Sequence, residues 1–366
     1  MSDEAILVLE DGTYFEGTSY GAKMESVGEL VFNTSITGYQ EILTDPSYFG
    51  QMVVMTNPHI GNYGVNDEDV ESKKIYLSAM VAKEFSKIYS NNMAIKSLQD
   101  YFIENDIPAI DNIDTRKLVK HLRNSGSMNA IVSSTNFDIK TLVNKAKSSR
   151  HIQGIDLVRE ITTTEKYYWN KSTSGKKDNL NIVLIDFGVK YSILNCLSRE
   201  GCNILVVPAN IDYEEIIKIN PDGIFLSNGP GDPEPVMYGI ELVRKLFGKY
   251  PILGICLGCQ IIAIALGGRT YKLKFGHHGG NHPVKDLRTS KIYITAQNHC
   301  FAIDDTSLDS NIEVTHVNLN DETVEGIKHK NIPVFAVQFH PESGPGPHDG
   351  NIIFKEFANY LRKLKC

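Results

Sequence analysis

The chain has 366 residues, of which 42% are apolar and 22% charged, and its formal net charge is −7. This composition fits an ordinary folded chain of about two domains, and the negative balance offers no general attraction to nucleic acid or to an anionic membrane surface. There is no run of about 20 apolar residues, and the acidic start MSDEAILVLEDG lacks the long apolar segment of a secretory signal, so a cytoplasmic protein without a membrane span is expected.

The first half opens with AILVLEDGTYFEG, in which apolar residues, an Asp-Gly turn and an alternating segment spell a β-hairpin. Short strands follow in GELVFNTS and QMVVMTN. In NIDTRKLVKHLRNSG, Asp114 or Thr115 can cap a helix whose apolar positions are Leu118, Val119 and Leu122, with Gly126 beyond its end. Residues 1–155 therefore read as a mixed α+β domain with long loops. Residues 156–180 are polar and show no clear period, which predicts a linker.

After the linker the rhythm becomes regular. NIVLIDFG, CNILVVPA, PDGIFLSNGPGDP and PILGI read as strands, separated by the helical KYSILNCLSREG and VMYGIELVRKLFGK, and CLGCQIIAIALGG is a helix stopped by two glycines. Strands alternating with helices predict an α/β domain over residues 181–366, with a doubly wound, mostly parallel sheet. Ligands in such sheets sit beyond the carboxyl ends of the strands, where Gly229–Gly231 and Cys256 both fall.

Six cysteines (Cys196, Cys202, Cys256, Cys259, Cys300 and Cys366) are too scattered for a disulfide framework, and reduced thiols are the simpler reading. Gly254-Ile255-Cys256-Leu257-Gly258 has the pattern of a nucleophile elbow with Cys in place of Ser. Small flanking residues permit the tight turn. The helix that follows offers unpaired N–H groups, which lower a thiol pKa and hold a developing oxyanion. A thiolate attacking an amide needs a proton donor for the leaving amine. PVFAVQFHPES supplies one about 85 residues later: His340 at a strand end, with Glu342 two residues on to hold one imidazole nitrogen. Cys256 and Cys259 also spell Cys-x-x-Cys at a strand-to-helix junction, the place of redox pairs, although His340 and Glu342 have no role in a dithiol site. HHGGNH (His277, His278, His282) invites a metal, but no further ligand stands beside it at a regular spacing. SNGPGDP lacks the Gly-Lys-Ser/Thr of a phosphate loop.

SNGPGDP, GICLGCQ and QFHPE together resemble the motifs of class I glutamine amidotransferases. FNTSITGYQEILTDPSYFGQ, PHIGNYG, KFGHHGGNHPV, TAQNHCFA and SGPGPHD extend the resemblance over essentially the whole chain, to the small, glutaminase subunits of carbamoyl-phosphate synthases. The resemblance implies that Cys256 attacks the side-chain amide of glutamine to form a glutamyl thioester. His340 would move the protons and Glu342 would orient it. The family's glutamine-binding positions fall on Ser47, Gly229, Gly231, Leu257, Gln260, Asn298, Cys300 and Phe301. It further implies that ammonia passes to a separate large subunit using ATP, Mg and bicarbonate, for arginine and pyrimidine biosynthesis, with no cofactor or metal in this chain. Two departures stand out: Cys259 replaces a usual His, and Cys300 replaces a usual Gly, where a Cβ would disturb the backbone if φ were positive.

Overall fold

The computed structural model describes residues 4–169 and 180–365. They divide into two compact units, one of residues up to Ile152 together with Lys274–Gly279, the other of Gln153–Leu273 and residues from Gly280 onward.

In the first unit, β1 (Glu4–Leu9) and β2 (Tyr14–Ser19) form the expected hairpin, with Leu7 opposite Phe15. Its turn is closed by the Leu9 N–H on Thr13 O, and Gly12 takes the left-handed φ of 95° that a tight hairpin turn requires. The chain continues through β3 (Glu25–Asn33), α1 (Tyr39–Thr44), β4 (Gln51–Met55), the two-residue β5 (His59–Ile60), β6 (Ala79–Val81), β7 (Glu84–Phe85), α2 (Leu98–Glu104), β8 (Ala109–Asp111), α3 (Thr115–Ser125), β9 (Met128–Ser133) and α4 (Ile139–Ser148). Asp114, and not Thr115, caps α3: its Oδ1 accepts the Lys117 N–H at 2.9 Å, and Gly126 ends the helix at φ 99°.

Seven strands close into a barrel in the order β1-β2-β8-β6-β4-β3-β9. Strand periodicity assigns β1 to two cores at once. Leu7 and Leu9 point inward with Leu30, Val54 and Ile110, while Ile6 and Val8 point outward beneath Leu142 and Ala146 of α4. The sequence patterns identify the strands but not the closure, because β8 pairs with β2 and β6 from far along the chain.

The second unit contains α5 (Val158–Ile161), β10 (Tyr167–Tyr168), β11 (Leu180–Asp186), α6 (Tyr191–Arg199), β12 (Cys202–Pro208), α7 (Tyr213–Ile219), β13 (Gly223–Leu226), α8 (Met237–Leu246), β14 (Ile252–Ile255) and α9 (Leu257–Ala265). It continues with β15 (Arg269–Asp286, apart from its Lys274–Gly279 stretch, which belongs to the first unit), β16 (Ile292–Asp304), β17 (Ile312–Asn318), β18 (Val324–His329), β19 (Val334–Val337) and α10 (Ile352–Lys365). The sheet order is β10-β12-β11-β13-β14-β19-β18-β17-β15-β16. Strands β12, β11, β13, β14 and β19 are parallel, with antiparallel strands at both sides. On one face α6 and α10 bury Leu184, Phe225, Leu253 and Val337; on the other α8 and α9 bury Ile185, Leu226 and Ile252. Part of the stretch expected to be a linker belongs to this unit: β10 pairs with β12, Tyr167 opposite Val206, and Trp169 packs on Tyr191 at 5.0 Å. Aromatic burial thus overrides a polar composition there. Residues 170–179 of that stretch lie outside the described residues.

Candidate active site

The site is assembled at the carboxyl ends of three neighbouring parallel strands, β13, β14 and β19. Cys256 follows β14 directly and caps α9 with φ 53° and ψ −107°, a strained backbone for a residue with a Cβ. The two flanking glycines make this turn possible. A Cβ on Gly254 would meet Gly258 O at 2.7 Å, and one on Gly258 would meet Leu226 O at 2.4 Å. The Cys256 N–H is held by Val337 O at 2.9 Å, which ties the elbow to β19. Leu257, the first residue of α9, carries one of the N–H groups that a helix start leaves without an internal acceptor.

His340 lies three residues beyond β19, its own N–H bonded to Ala296 O at 2.9 Å. Its Nδ1 is 2.6 Å from Glu342 Oε1, and both side chains are buried. Nε2, on the far side of the ring, makes no hydrogen bond among the described residues. The Cys256 thiol lies against Asn298 O at 3.5 Å. Burial lowers the imidazole's pKa, but the charges of Glu342 and Cys256, with the hydrogen bond to Glu342, raise it to about 10. Burial pushes the Glu342 carboxyl up, and the charges of Lys190 and His340 bring it down to about 2.

Sequence reasoning missed Lys190. Its ammonium is 3.1 Å from Glu342 Oε1 and donates to Ser343 O at 2.6 Å and Gly344 O at 2.8 Å. The side chain is almost wholly buried, at 2% exposure, and a buried ammonium is retained only where it is paired and hydrogen-bonded. A lysine just before the apolar helix YSILNCL was the available signal, but its partner lies 152 positions away.

The loop after β13 lies beside the elbow. A Cβ on Gly229 would sit 2.2 Å from Phe187 O and 2.7 Å from a Leu257 methyl, and Gly231 has φ 78°. Neither position accepts a side chain without displacing its surroundings. Gln260, one turn into α9, donates through Nε2 to Phe301 O at 2.8 Å and to Gln338 Oε1 at 3.1 Å. Gln260, Asn298, Cys300 and Phe301 are all buried, the last three on β16. Cys300 is not among the residues with positive φ; it stands in regular strand geometry, so its Cβ imposes no backbone strain. Ser47 belongs to the first unit, in a turn where Asp45 Oδ1 accepts its N–H at 2.9 Å.

Cys259 is fully buried in the first turn of α9. Burial, then the charges of Cys256 and Glu325, push its thiol well above the ordinary range. It is protonated at neutral pH and packs in the core with Ile261 and Ile262. The five cysteines among the described residues are unbridged.

The family described as "Glutamine amidotransferase class-I" matches residues 183–360, and that described as "Carbamoyl-phosphate synthase small chain, CPSase domain" matches residues 7–132. The chain is similar to "Carbamoyl phosphate synthase small chain" of Aquifex aeolicus, at 58% identity over 98% of this chain and 99% of that one. It is similar to the protein of the same name in Syntrophotalea carbinolica, at 49% identity over 98% of each. The chloroplastic small chain of Oryza sativa is 44% identical over 98% of this chain and 82% of its own length. The two family matches follow one another along the chain, as the two kinds of sequence pattern do, so this chain belongs to the carbamoyl phosphate synthase small-chain family and carries a class-I glutamine amidotransferase domain.

Proposed function

We propose that the second unit hydrolyses the side-chain amide of glutamine on Cys256, with His340 and Glu342 as its triad partners, and that the ammonia passes to a large subunit of carbamoyl-phosphate synthase. The observation that carries this reading is the buried series Lys190, Glu342, His340, in which Glu342 Oε1 meets both the ammonium and imidazole Nδ1. The carboxylate leaves Nε2 for the thiol and stabilises the imidazolium that forms when the thiol proton is taken.

Sγ of Cys256 then adds to the amide carbon. The oxygen takes negative charge and is met by the Leu257 N–H and by N–H groups of the Gly229–Gly231 loop. Collapse of this intermediate breaks the carbon–nitrogen bond as His340 returns its proton to the nitrogen, releasing ammonia and leaving a glutamyl thioester. Water, deprotonated by the same imidazole, cleaves the thioester to glutamate and restores the thiol. Gly229, Gly231, Leu257, Gln260, Asn298, Cys300 and Phe301 are the glutamine-binding positions of this reading in the second unit; Ser47, in the first unit, is the remaining position that the family resemblance implies. The Gln260 amide N–H groups are donated to Phe301 O and Gln338 Oε1, so this side chain also positions the Phe301 backbone. ATP, Mg and bicarbonate belong to the large subunit in this division of labour.

The experiment is glutamate formation from glutamine by the parent and Cys256→Ser chains, each with and without a carbamoyl-phosphate synthase large subunit. Loss of turnover in Cys256→Ser, and a higher parent rate with the large subunit, are expected. Turnover retained in Cys256→Ser overturns the reading.

A further inference from the structure

A cavity of about 300 Å³ opens on the α10 face of the second unit's sheet. Its floor is formed by Phe335 of β19 and by Lys328, its pairing partner on β18, and one wall is Ile353, Glu356 and Tyr360 along one stripe of α10. It opens beside the β18–β19 turn, at the amino end of β19, whereas Cys256 and His340 lie at the carboxyl ends of the strands. It is therefore not an extension of the glutamine site.

Several features give this cavity a specific chemistry. His316 lines it while 2% exposed. Its ring lies over Gly326, where an added Cβ would meet Nδ1 at 2.5 Å, and its Nε2 makes no hydrogen bond among the described residues. Burial, together with the Arg288 charge and against the Asp286 charge, lowers its pKa to about 4, so the ring is a neutral polar surface at neutral pH. Arg288 also lines the cavity, beside Glu356. Its Nε and Nη2 are fixed on the two Asp286 carboxylate oxygens at 3.1 and 3.0 Å, with Glu356 3.7 Å from Nη2. This aims the guanidinium and leaves Nη1 without a protein acceptor among the described residues. Lys328 is exposed and has no ion-pair partner among the described residues. A fixed guanidinium edge and an unpaired ammonium are donors for an anion. The Phe335, Ile353 and Tyr360 side chains around them offer an apolar seat.

We propose that this cavity binds a compact organic anion with an apolar body, of the aryl carboxylate class, its charge between Arg288 and Lys328 and its ring against Phe335, Ile353 and Tyr360. The volume matches the lower end of small-molecule sites, enough for one ring and one charged group.

The test uses the full chain with isotope-labelled isoleucine δ-methyl groups. 4-Hydroxybenzoate, benzyl alcohol and benzylamine are each titrated to about 10 mM, above the millimolar Kd expected of so small a ligand. The proposal expects a saturable shift of the Ile353 methyl with 4-hydroxybenzoate, weaker effects of the other two, and no shift of Ile110 in the first unit's core. Lys328→Glu, at an exposed position, should weaken carboxylate binding at least tenfold while the spectrum stays that of a folded chain. Absence of shifts with the carboxylate overturns the site. Equal shifts with benzyl alcohol, or equal affinity in Lys328→Glu, overturn the anion assignment.

Discussion

Replacing Lys190 by methionine keeps the side chain's bulk and removes only its ammonium. Ser343 O and Gly344 O then lose the ammonium that donates to them at 2.6 and 2.8 Å, and Glu342 Oε1 loses it at 3.1 Å, keeping only imidazole Nδ1. Removing one partner of a buried ion pair costs about 3–5 kcal/mol when the other charge is left uncompensated; His340 still faces Glu342, so the lower end of that range applies. Each kcal/mol moves Tm by about 2–4 °C in a domain of this size, so a fall on the order of 10 °C is expected. The pH dependence has a definite sign. In the parent, Glu342 is depressed from its ordinary 4.5 to about 2, so its contribution to stability is present above about 4.5 and fades as pH falls toward 2. Without Lys190 the folded-state pKa rises, and the stability gap between parent and variant is widest above pH 4.5 and narrows below it. The same rise makes glutaminase activity fall off at a higher pH on the acid side, because a protonated Glu342 no longer stabilises the imidazolium. The assays are thermal unfolding from pH 3 to 8 and the kcat/KM profile for glutamate formation. A variant with the parent's Tm and the parent's acid limb would refute the coupling of Lys190 to Glu342 and His340.

Glu342→Gln should keep the fold and lower kcat by about 10³- to 10⁴-fold, the scale seen when a triad carboxylate becomes an amide; parent-like turnover would make Glu342 a structural residue only. Cys259→Ala removes a buried, protonated thiol, so labelling by a glutamine-like diazo-ketone should stay confined to Cys256, and comparable labelling of Cys259 in the parent would contradict this. Gly258→Ala puts a Cβ 2.4 Å from Leu226 O. Overpacking of this kind costs about 1–3 kcal/mol, and urea unfolding should show that loss together with a drop in glutamate formation; an unchanged midpoint and rate would show that the elbow tolerates a side chain.

The elbow was legible in the sequence because its constraint is local. Within five residues, Gly254 and Gly258 leave room for a turn that holds Cys256 at φ 53°. The His340-Glu342 pair was legible for a similar reason, since a carboxylate two residues away reaches its imidazole within one bend of chain. The alternation of strands and helices in the second half likewise required only short-range periodicity. The hairpin at the start and the Asp114–Gly126 helix belong with these: each depends on the turn or cap chemistry of adjacent residues.

What stayed hidden depends on groups distant in the chain. A lysine beside an apolar helix reads as solvated, and only the tertiary structure seats Lys190 on a carboxylate 152 residues away. Cys-x-x-Cys leaves both thiols available as a pattern; the packing of α9 against the sheet makes Cys259 fully buried and chemically silent. The barrel closure, the strand at Tyr167–Tyr168 and the cavity beneath α10 have the same origin. The amino-acid order by itself determined the turns, caps, periodicities and the order of reactive residues, since these rest on neighbours a few bonds apart. The tertiary structure decided which charges are buried together and which thiol is sealed in the core, because burial and Coulomb energy depend on distance in space.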